Sequence, residues 1–189
     1  RGTLSLLARA DALHSLQPNR RQAIWQVQGL YDLPLFRGLL RNEEPPPLPK
    51  PTAMDALKAD YRSLGLSLSH NPIAMVREQL CRQGVLSAKD AHACASQRTI
   101  QVAGMVSHRQ RPGTASGVIF MTMEDETGML NIVVKPKLFE KQRRVILDEN
   151  LLKVTAIVQR DGDSMSLLAV RFAPLETAPT IQTQSRDFR

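Results

Sequence analysis

Between residues 109 and 117 the sequence reads Arg-Gln-Arg-Pro-Gly-Thr-Ala-Ser-Gly. Two guanidiniums, two hydroxyls and two glycines so close together suit the holding of a phosphate. Arg109 and Arg111 offer charge-assisted donors. Thr114 and Ser116 offer hydroxyls, and Gly113 and Gly117 let backbone approach a ligand. Contacts of this kind fix a strand in place without reading its sequence. The plain alternative is a solvated hairpin loop. Downstream, Lys135 and Lys137 flank Pro136 and could reach the same phosphates. Arg20 and Arg21 stand where a helix is predicted to open, so basic side chains and free amides would meet there. Phe120 is the aromatic nearest the loop, and facing outward it could stack on a base, worth roughly 1–3 kcal/mol. Residues 118–123 are apolar or Thr throughout, so alternation leaves its direction open, and a place in the core is the simpler reading. Arg143 and Arg144 read as a solvated helix face.

Other chemistries find little support. Glu124-Asp125-Glu126 is the one acidic triplet. Neighbours on a strand point to opposite faces, so the three carboxylates cannot converge on a metal. Asp125 is better placed to tie a turn to Gly128 through an Asx-type bond. His92-x-Cys94 lacks a companion pair at zinc spacing, and His14, His70 and His108 are scattered. No Ser-His-Asp or Cys-His arrangement and no nucleotide-binding glycine loop can be argued. No catalytic, cofactor-binding or metal-ligating residue is predicted within the chain.

Composition sets the frame around these residues. The chain has 189 residues, 42% hydrophobic and 23% charged, with a net charge of +7. That profile can bury a core. Aromatics are scarce: five Phe, two Tyr and one Trp. No apolar run approaches the ~20 residues of a membrane helix, so a membrane partner is not expected. There is no signal peptide, and residue 1 is Arg and not Met, which predicts a start inside a longer protein. Two cysteines are too few for a disulfide framework, and a cytoplasmic location is the default. The basic balance points to an anionic partner, nucleic acid first. No basic tail exists, so local clusters carry that reading.

The elements that must position the clusters follow from periodicity. Residues 3–13 read as a helix with Leu4, Leu7, Ala8 and Ala12 along one face. After the turn at Leu16-Gln17-Pro18, Asn19 can cap a second helix running from Arg20 to about Leu30. Residues 42–52 are rich in proline and predict an extended linker. A helix follows from Thr52 to about Ser63. Asn71-Pro72 opens another, with Ile73, Val76 and Leu80 on one stripe, and Ser87 with Asp90 forms a weaker cap. From residue 97 the period switches to two. Strands are predicted near 100–107, 118–125, 129–134, 151–159 and 164–172. A helix from Pro136 to about Leu147 separates the third from the fourth. Asp161-Gly162 is a hairpin signal.

Five short strands with a helix between the third and fourth are the layout of an OB-fold, a small Greek-key barrel. The fold class is therefore α+β. Helical segments, a hairpin of helices within 1–41 and further helices over 53–96 (which the resemblance below implies are a helix-hairpin-helix remnant and a connecting segment), precede a five-stranded OB barrel over 97–174. A tail over 175–189 follows. In such barrels the face of strands two and three and the loops joining strands one to two and four to five bind oligonucleotides. The basic loop 109–117 falls at the first of those loops.

The stretch VAGMVSHRQRPGTASGVIFMTMEDETGMLNIVV (102–134) strongly resembles the OB domain near the C-terminus of bacterial error-prone DNA polymerases. These are C-family relatives of the DNA polymerase III α-subunit. LARADALHSLQPNRRQAIW (7–25) is similar to the end of that family's helix-hairpin-helix region. DYRSLGLSLSHNPIAMVREQL (60–80) is similar to its connecting segment, and SRDFR (185–189) to its terminal peptide. The resemblance implies the non-catalytic C-terminal portion of a DNA-directed DNA polymerase that copies damaged template, with the catalytic core and its Mg2+ upstream. The implied partners are single-stranded template DNA, an accessory mutagenesis protein related to Y-family polymerases, and indirectly the sliding clamp. Many members of that family carry an aromatic where this chain has Lys135, so backbone holding is expected in place of stacking. One alternative is a docking module for the accessory protein, formed by the barrel and the SRDFR tail. Another is the OB module of a different nucleic-acid enzyme, such as a tRNA-binding domain.

Overall fold

The computed structural model describes residues 2–30, 46–67, 69–162, 164–175 and 186–188. The first part of the Pro-rich stretch and most of the 175–189 tail lie outside the described residues. The chain forms two compact units, Arg1–Ser69 and His70–Arg189. The division falls inside the 53–96 segment that periodicity suggests is one connector.

The first unit is helical: α1 (Gly2–Arg9), α2 (Arg20–Gly29) and α3 (Ala53–Leu64). α1 stops short of the predicted residue 13, and Asp11 beyond it adopts a left-handed φ of 60° that a helix cannot contain. Asn19 caps α2 by accepting the Arg21 N–H at 3.1 Å. Thr52 and Asp55 form a reciprocal capping box at the start of α3. Among the described residues the core here is thin. Ala8, Ala23 and Val27 are buried against one another, with Leu13 and Ile24 packed beside them.

The second unit begins with the helical stretch 70–98. Asn71 Oδ1 accepts the Ile73 N–H at 2.8 Å. The helix predicted as one piece is broken into a 3-10 turn at Ala74–Val76 followed by α4 (Arg77–Arg82), and Val76 sits outside helical geometry at the break. Ile73, Val76 and Leu80 are buried as the stripe predicts. α5 (Ala88–His92) starts at Ser87, whose hydroxyl accepts the Asp90 N–H at 3.1 Å.

The barrel has five strands: β1 (Thr99–Gln110), β2 (Ile119–Glu124), β3 (Met129–Val134), β4 (Leu151–Asp161) and β5 (Ser164–Pro174). α6 (Pro136–Asp148) lies between β3 and β4. Neighbours run β2-β3-β5-β4-β1, and a β1–β2 ladder closes the ring. β3 and β5 pair in parallel through Ile132 and Val133, and the other barrel pairs are antiparallel. This is the predicted OB arrangement. Alternate side chains, among them Met121, Met123, Leu130, Ile132, Val154 and Leu167, fill the interior. Each contributes about 1.5–3 kcal/mol relative to an exposed position.

β1 must pair with β4 along its first half and with β2 along its second. The change of partner centres on Gly104, where a Cβ would stand 2.9 Å from the Glu124 carbonyl oxygen. Glycine lets the two backbones approach, and a register shift between Val106 and His108 completes the bend. A sixth strand, β6 (Arg186–Phe188), runs parallel to β1 at His108–Gln110. Residues 70–98 are built into this barrel. Leu86 bridges to Val102, and the Arg160 guanidinium donates to the His92 and Cys94 carbonyls.

The β2–β3 turn is organised by Asp125, whose side chain is 1% exposed. Its Oδ1 accepts from the Thr127 and Gly128 amides and the Thr127 hydroxyl. Its Oδ2 accepts from the Ala88 amide at 2.7 Å and pairs with Arg77 at 2.9 Å. Burial works against the Arg77 charge, but the hydrogen bond to Glu126 and the charges of Glu126 and Asp125 outweigh it and raise its pKa.

Candidate nucleic-acid interface

The outer face of β1, β2 and β3 is arranged in cross-strand rows. Gln110, Phe120 and Val133 form one row, and His108, Thr122 and Asn131 the next. Phe120 is 43% exposed and points outward, against the simpler reading that put it in the core. The interior is filled by its neighbours Ile119 and Met121, and strict alternation sends Phe120 to solvent.

Cations gather at one end of this face. β1 runs further than predicted, through Gln110, so the connecting loop covers 111–118. Arg111, Thr114 and Ser116 are exposed on it. β3 ends at Val134, so Lys135 follows two residues after the Phe120–Val133 row, and Lys135 and Lys137 are exposed at the start of α6. The acidic residues Glu124 and Glu126 stand at the other end of β2, roughly 17 Å away at 3.3–3.4 Å per residue. Glu126 is paired with Arg77. The face therefore carries a charge gradient along its strands.

Arg109 does not belong to this cluster. It is 4% exposed, and its guanidinium turns away to the C-terminal end of α6. Nε donates to the Ile146 carbonyl at 2.8 Å, Nη2 to the Glu149 carbonyl at 2.5 Å, and both terminal nitrogens lie 3.4 Å from Asn150 Oδ1. The last turn of α6 has no basic residue of its own, and Arg109 supplies the charge that its carbonyls favour. Its role is structural, and the phosphate contact expected of it is corrected accordingly.

Arg20 and Arg21 are also occupied. Arg20 Nη2 is 2.5 Å from Asp60 Oδ1, with both side chains nearly buried, and Arg20 Nε is 3.5 Å from Asp11. Arg21 pairs with Asp55 at 3.1 Å. These arginines fasten α2 to α3, which corrects their expected role as a phosphate clamp. By contrast, none of Arg111, Lys135, Lys137 and Arg143 pairs with a carboxylate among the described residues.

Two side chains were missed from sequence. The Phe139 ring lies 5.9 Å from the Arg111 guanidinium carbon and 5.9 Å from that of Arg143. Phe139 is half-buried at the barrel's edge and reads as an ordinary core position on α6. The four-residue spacing of Phe139 and Arg143, which puts them on one helical face, was the available signal.

Both Asp125 oxygens are taken, and no group of three or more His, Cys, Asp or Glu among the described residues could hold a metal ion. Among the described residues no helix is long and apolar enough to cross a membrane.

Residues 100–175 match a family described as an OB-fold nucleic acid binding domain. The chain is 45% identical over 187 residues to an error-prone DNA polymerase of Pseudomonas fluorescens. It is 42% identical over 194 residues to one of Dechloromonas aromatica. Over its whole length the chain is similar to a part of the error-prone DNA polymerases. The two matches take in 97% and 100% of this chain but 18% of each relative, in the C-terminal part. Among solved structures, an asparaginyl-tRNA synthetase from Pyrococcus horikoshii complexed with asparaginyl-adenylate superimposes with a TM-score of 0.40 at 19% identity. That match covers 53% of this chain and 23% of the synthetase.

Proposed function

We propose that the chain is the C-terminal, DNA-holding part of an error-prone DNA polymerase that acts in damage-induced translesion synthesis. Its barrel grips single-stranded template by the phosphate backbone. The observation that carries this reading is the cluster of Arg111, Lys135 and Lys137, without carboxylate partners among the described residues, beside the outward Phe120. The hydroxyls of Thr114 and Ser116 add neutral donors. Arg109, Arg20 and Arg21 hold the fold and take no part. The single exposed aromatic on the β2 face makes stacking a minor term, so binding depends on charge.

The test is fluorescence anisotropy of labelled oligo-dT with the 189-residue chain across a salt series. With about three phosphates neutralised, log affinity falls by roughly 2 per unit of log salt, from 0.7 per phosphate on single strands. Affinity that ignores salt, or that is abolished by Phe120→Ala while a combined Arg111→Ala, Lys135→Ala and Lys137→Ala change leaves it intact, sinks the reading.

In the parent enzyme this part works beside an accessory protein related to Y-family polymerases and, through it, the sliding clamp. A docking role for the tail is the second reading. It draws on β6, since strand addition at a sheet edge is a common mode of peptide recognition. Removing residues 176–189 separates the two. If the tail docks the accessory protein, capture of that protein fails while oligo-dT binding persists.

A further inference from the structure

The Phe139 ring is shared by two guanidiniums that belong to different elements, Arg111 of the β1–β2 loop and Arg143 of α6. At most about 12 Å therefore separates the two charges. Like charges repel at that range, and neither is neutralised by a carboxylate among the described residues. Six other arginines of the described residues, Arg20, Arg21, Arg77, Arg82, Arg109 and Arg160, donate to protein oxygens. The loop that carries Arg111 is packed down, since a Cβ on Gly117 would stand 3.4 Å from Arg111 Nη2 and 3.5 Å from Pro136 Cγ. Gly117 also takes a φ of 80°, which L side chains rarely adopt. Loop and helix thus come together around one ring, with Lys135 and Lys137 beside it. A planar guanidinium lying over an aromatic face keeps its edge donors free for a phosphate.

We propose that Arg143 is a nucleic-acid phosphate contact and that Phe139 is its positioning residue. The ring presents Arg111 and Arg143 as a fixed pair. The DNA backbone then leaves the β2–β3 face at Phe120, passes the β1–β2 loop and crosses the first two turns of α6. This rests on the template-holding reading above and extends it along α6, of which that reading used Lys137 in the first turn.

The experiment measures anisotropy of labelled oligo-dT and oligo-dA with the 189-residue chain in a salt series. Variants are Arg143→Gln, Arg143→Lys, Phe139→Leu and the reference Arg111→Gln, with circular dichroism confirming the fold. Arg143→Gln is expected to weaken both oligonucleotides alike, by about fivefold, and to lower the salt slope by about 0.7, one phosphate's share. Arg143→Lys is expected to keep the slope and recover part of the affinity. Phe139→Leu, which removes no charge, is expected to weaken binding about threefold with the slope unchanged. Should Phe139→Leu fail to fold, the Arg143 pair decides alone. Arg143→Gln with wild-type affinity and slope, beside a weakened Arg111→Gln, overturns the proposal and leaves the template-holding reading intact. Phe139→Leu with wild-type binding overturns the positioning role. If neither arginine variant nor the Arg111, Lys135 and Lys137 combination matters, both readings fail.

Discussion

Basic residues meet different ends in the two units, although the barrel unit also turns Arg77, Arg109 and Arg160 onto protein oxygens. In the helical unit the arginines at the start of α2 are turned inward, Arg20 onto Asp60 and Arg21 onto Asp55. In the barrel unit Arg111, Lys135, Lys137 and Arg143 are left without carboxylates among the described residues. The difference follows the size of the cores. Among the described residues the helical unit buries little beyond Ala8, Ala23, Val27, Leu57 and Tyr61 while Leu6, Leu16 and Leu64 stay exposed, so ion pairs help to join its helices. The barrel buries a large aliphatic interior and can leave cations to solvent. A basic pair on a helix start is therefore a poor guide to a ligand where the local core is thin.

The largest effect tests what holds the barrel itself. Asp125→Ala removes five hydrogen-bonding contacts and leaves Arg77 with Glu126 as its remaining carboxylate, and is expected to cost the barrel unit about 3–5 kcal/mol. Denaturant unfolding followed by circular dichroism reads this, and a loss below 1 kcal/mol refutes it. Next, Arg20→Leu leaves Asp60 nearly buried without its cation and is expected to destabilise the helical unit by about 2–4 kcal/mol. Trp25, the one tryptophan of the chain, lies on α2 and reports that unit by fluorescence. Oligo-dT binding by the folded variant should stay within about twofold, a change of no more than a few tenths of a kcal/mol. A large loss would restore the phosphate role to α2.

Arg109→Ala should behave as the inward arginines do, at about 1–3 kcal/mol of stability from the freed carbonyls of α6. The combined Arg111→Ala, Lys135→Ala and Lys137→Ala change should be the reverse. Its stability cost stays within about 0.5 kcal/mol, while affinity falls tenfold or more, about 1.4 kcal/mol. If the triple change unfolds the barrel and Arg109→Ala only weakens binding, the comparison is inverted and wrong.

The smallest effect is a matter of pH. Hydrogen bonds from the Thr52 backbone and hydroxyl, with the charges of Arg21 and Lys58, hold the Asp55 carboxyl below its ordinary value of 3.8. A depressed carboxyl stabilises the fold above its unfolded pKa and loses that contribution as pH falls through the folded one. Unfolding of the helical unit below about pH 4 should therefore be shallower in Asp55→Asn, as read by Trp25 fluorescence. An unchanged acid limb would remove Asp55 from the account.

Local signals were legible and distant ones were not. Asn19, Thr52 and Ser87 cap their helices as their residue types suggest, and β3 spans 129–134 as alternation predicts. Asp125 was legible as the residue that ties the β2–β3 turn, because its partners Thr127 and Gly128 are adjacent in sequence. Arg109 was not, because its acceptors come 37 to 41 residues later, from a helix end whose place depends on the whole barrel. Phe120 was hidden by an apolar run in which both faces of β2 look alike. The joining of residues 70–98 to the barrel rests on Arg77 meeting Asp125 across 48 positions, which no local pattern encodes.

At Gln142 the backbone of α6 leaves helical geometry, with φ −120° and ψ 24°. Its side-chain amide donates to the Phe172 carbonyl and accepts the Phe172 N–H, each at 2.9 Å. One side chain thus completes the pairing of β5 where no strand does. It also acts as a key. α6 cannot roll about its axis without breaking both bonds, and the next residue along is Arg143. A pull on that arginine is delivered to the sheet within a single residue, so the helix surface and the barrel wall bear load in series.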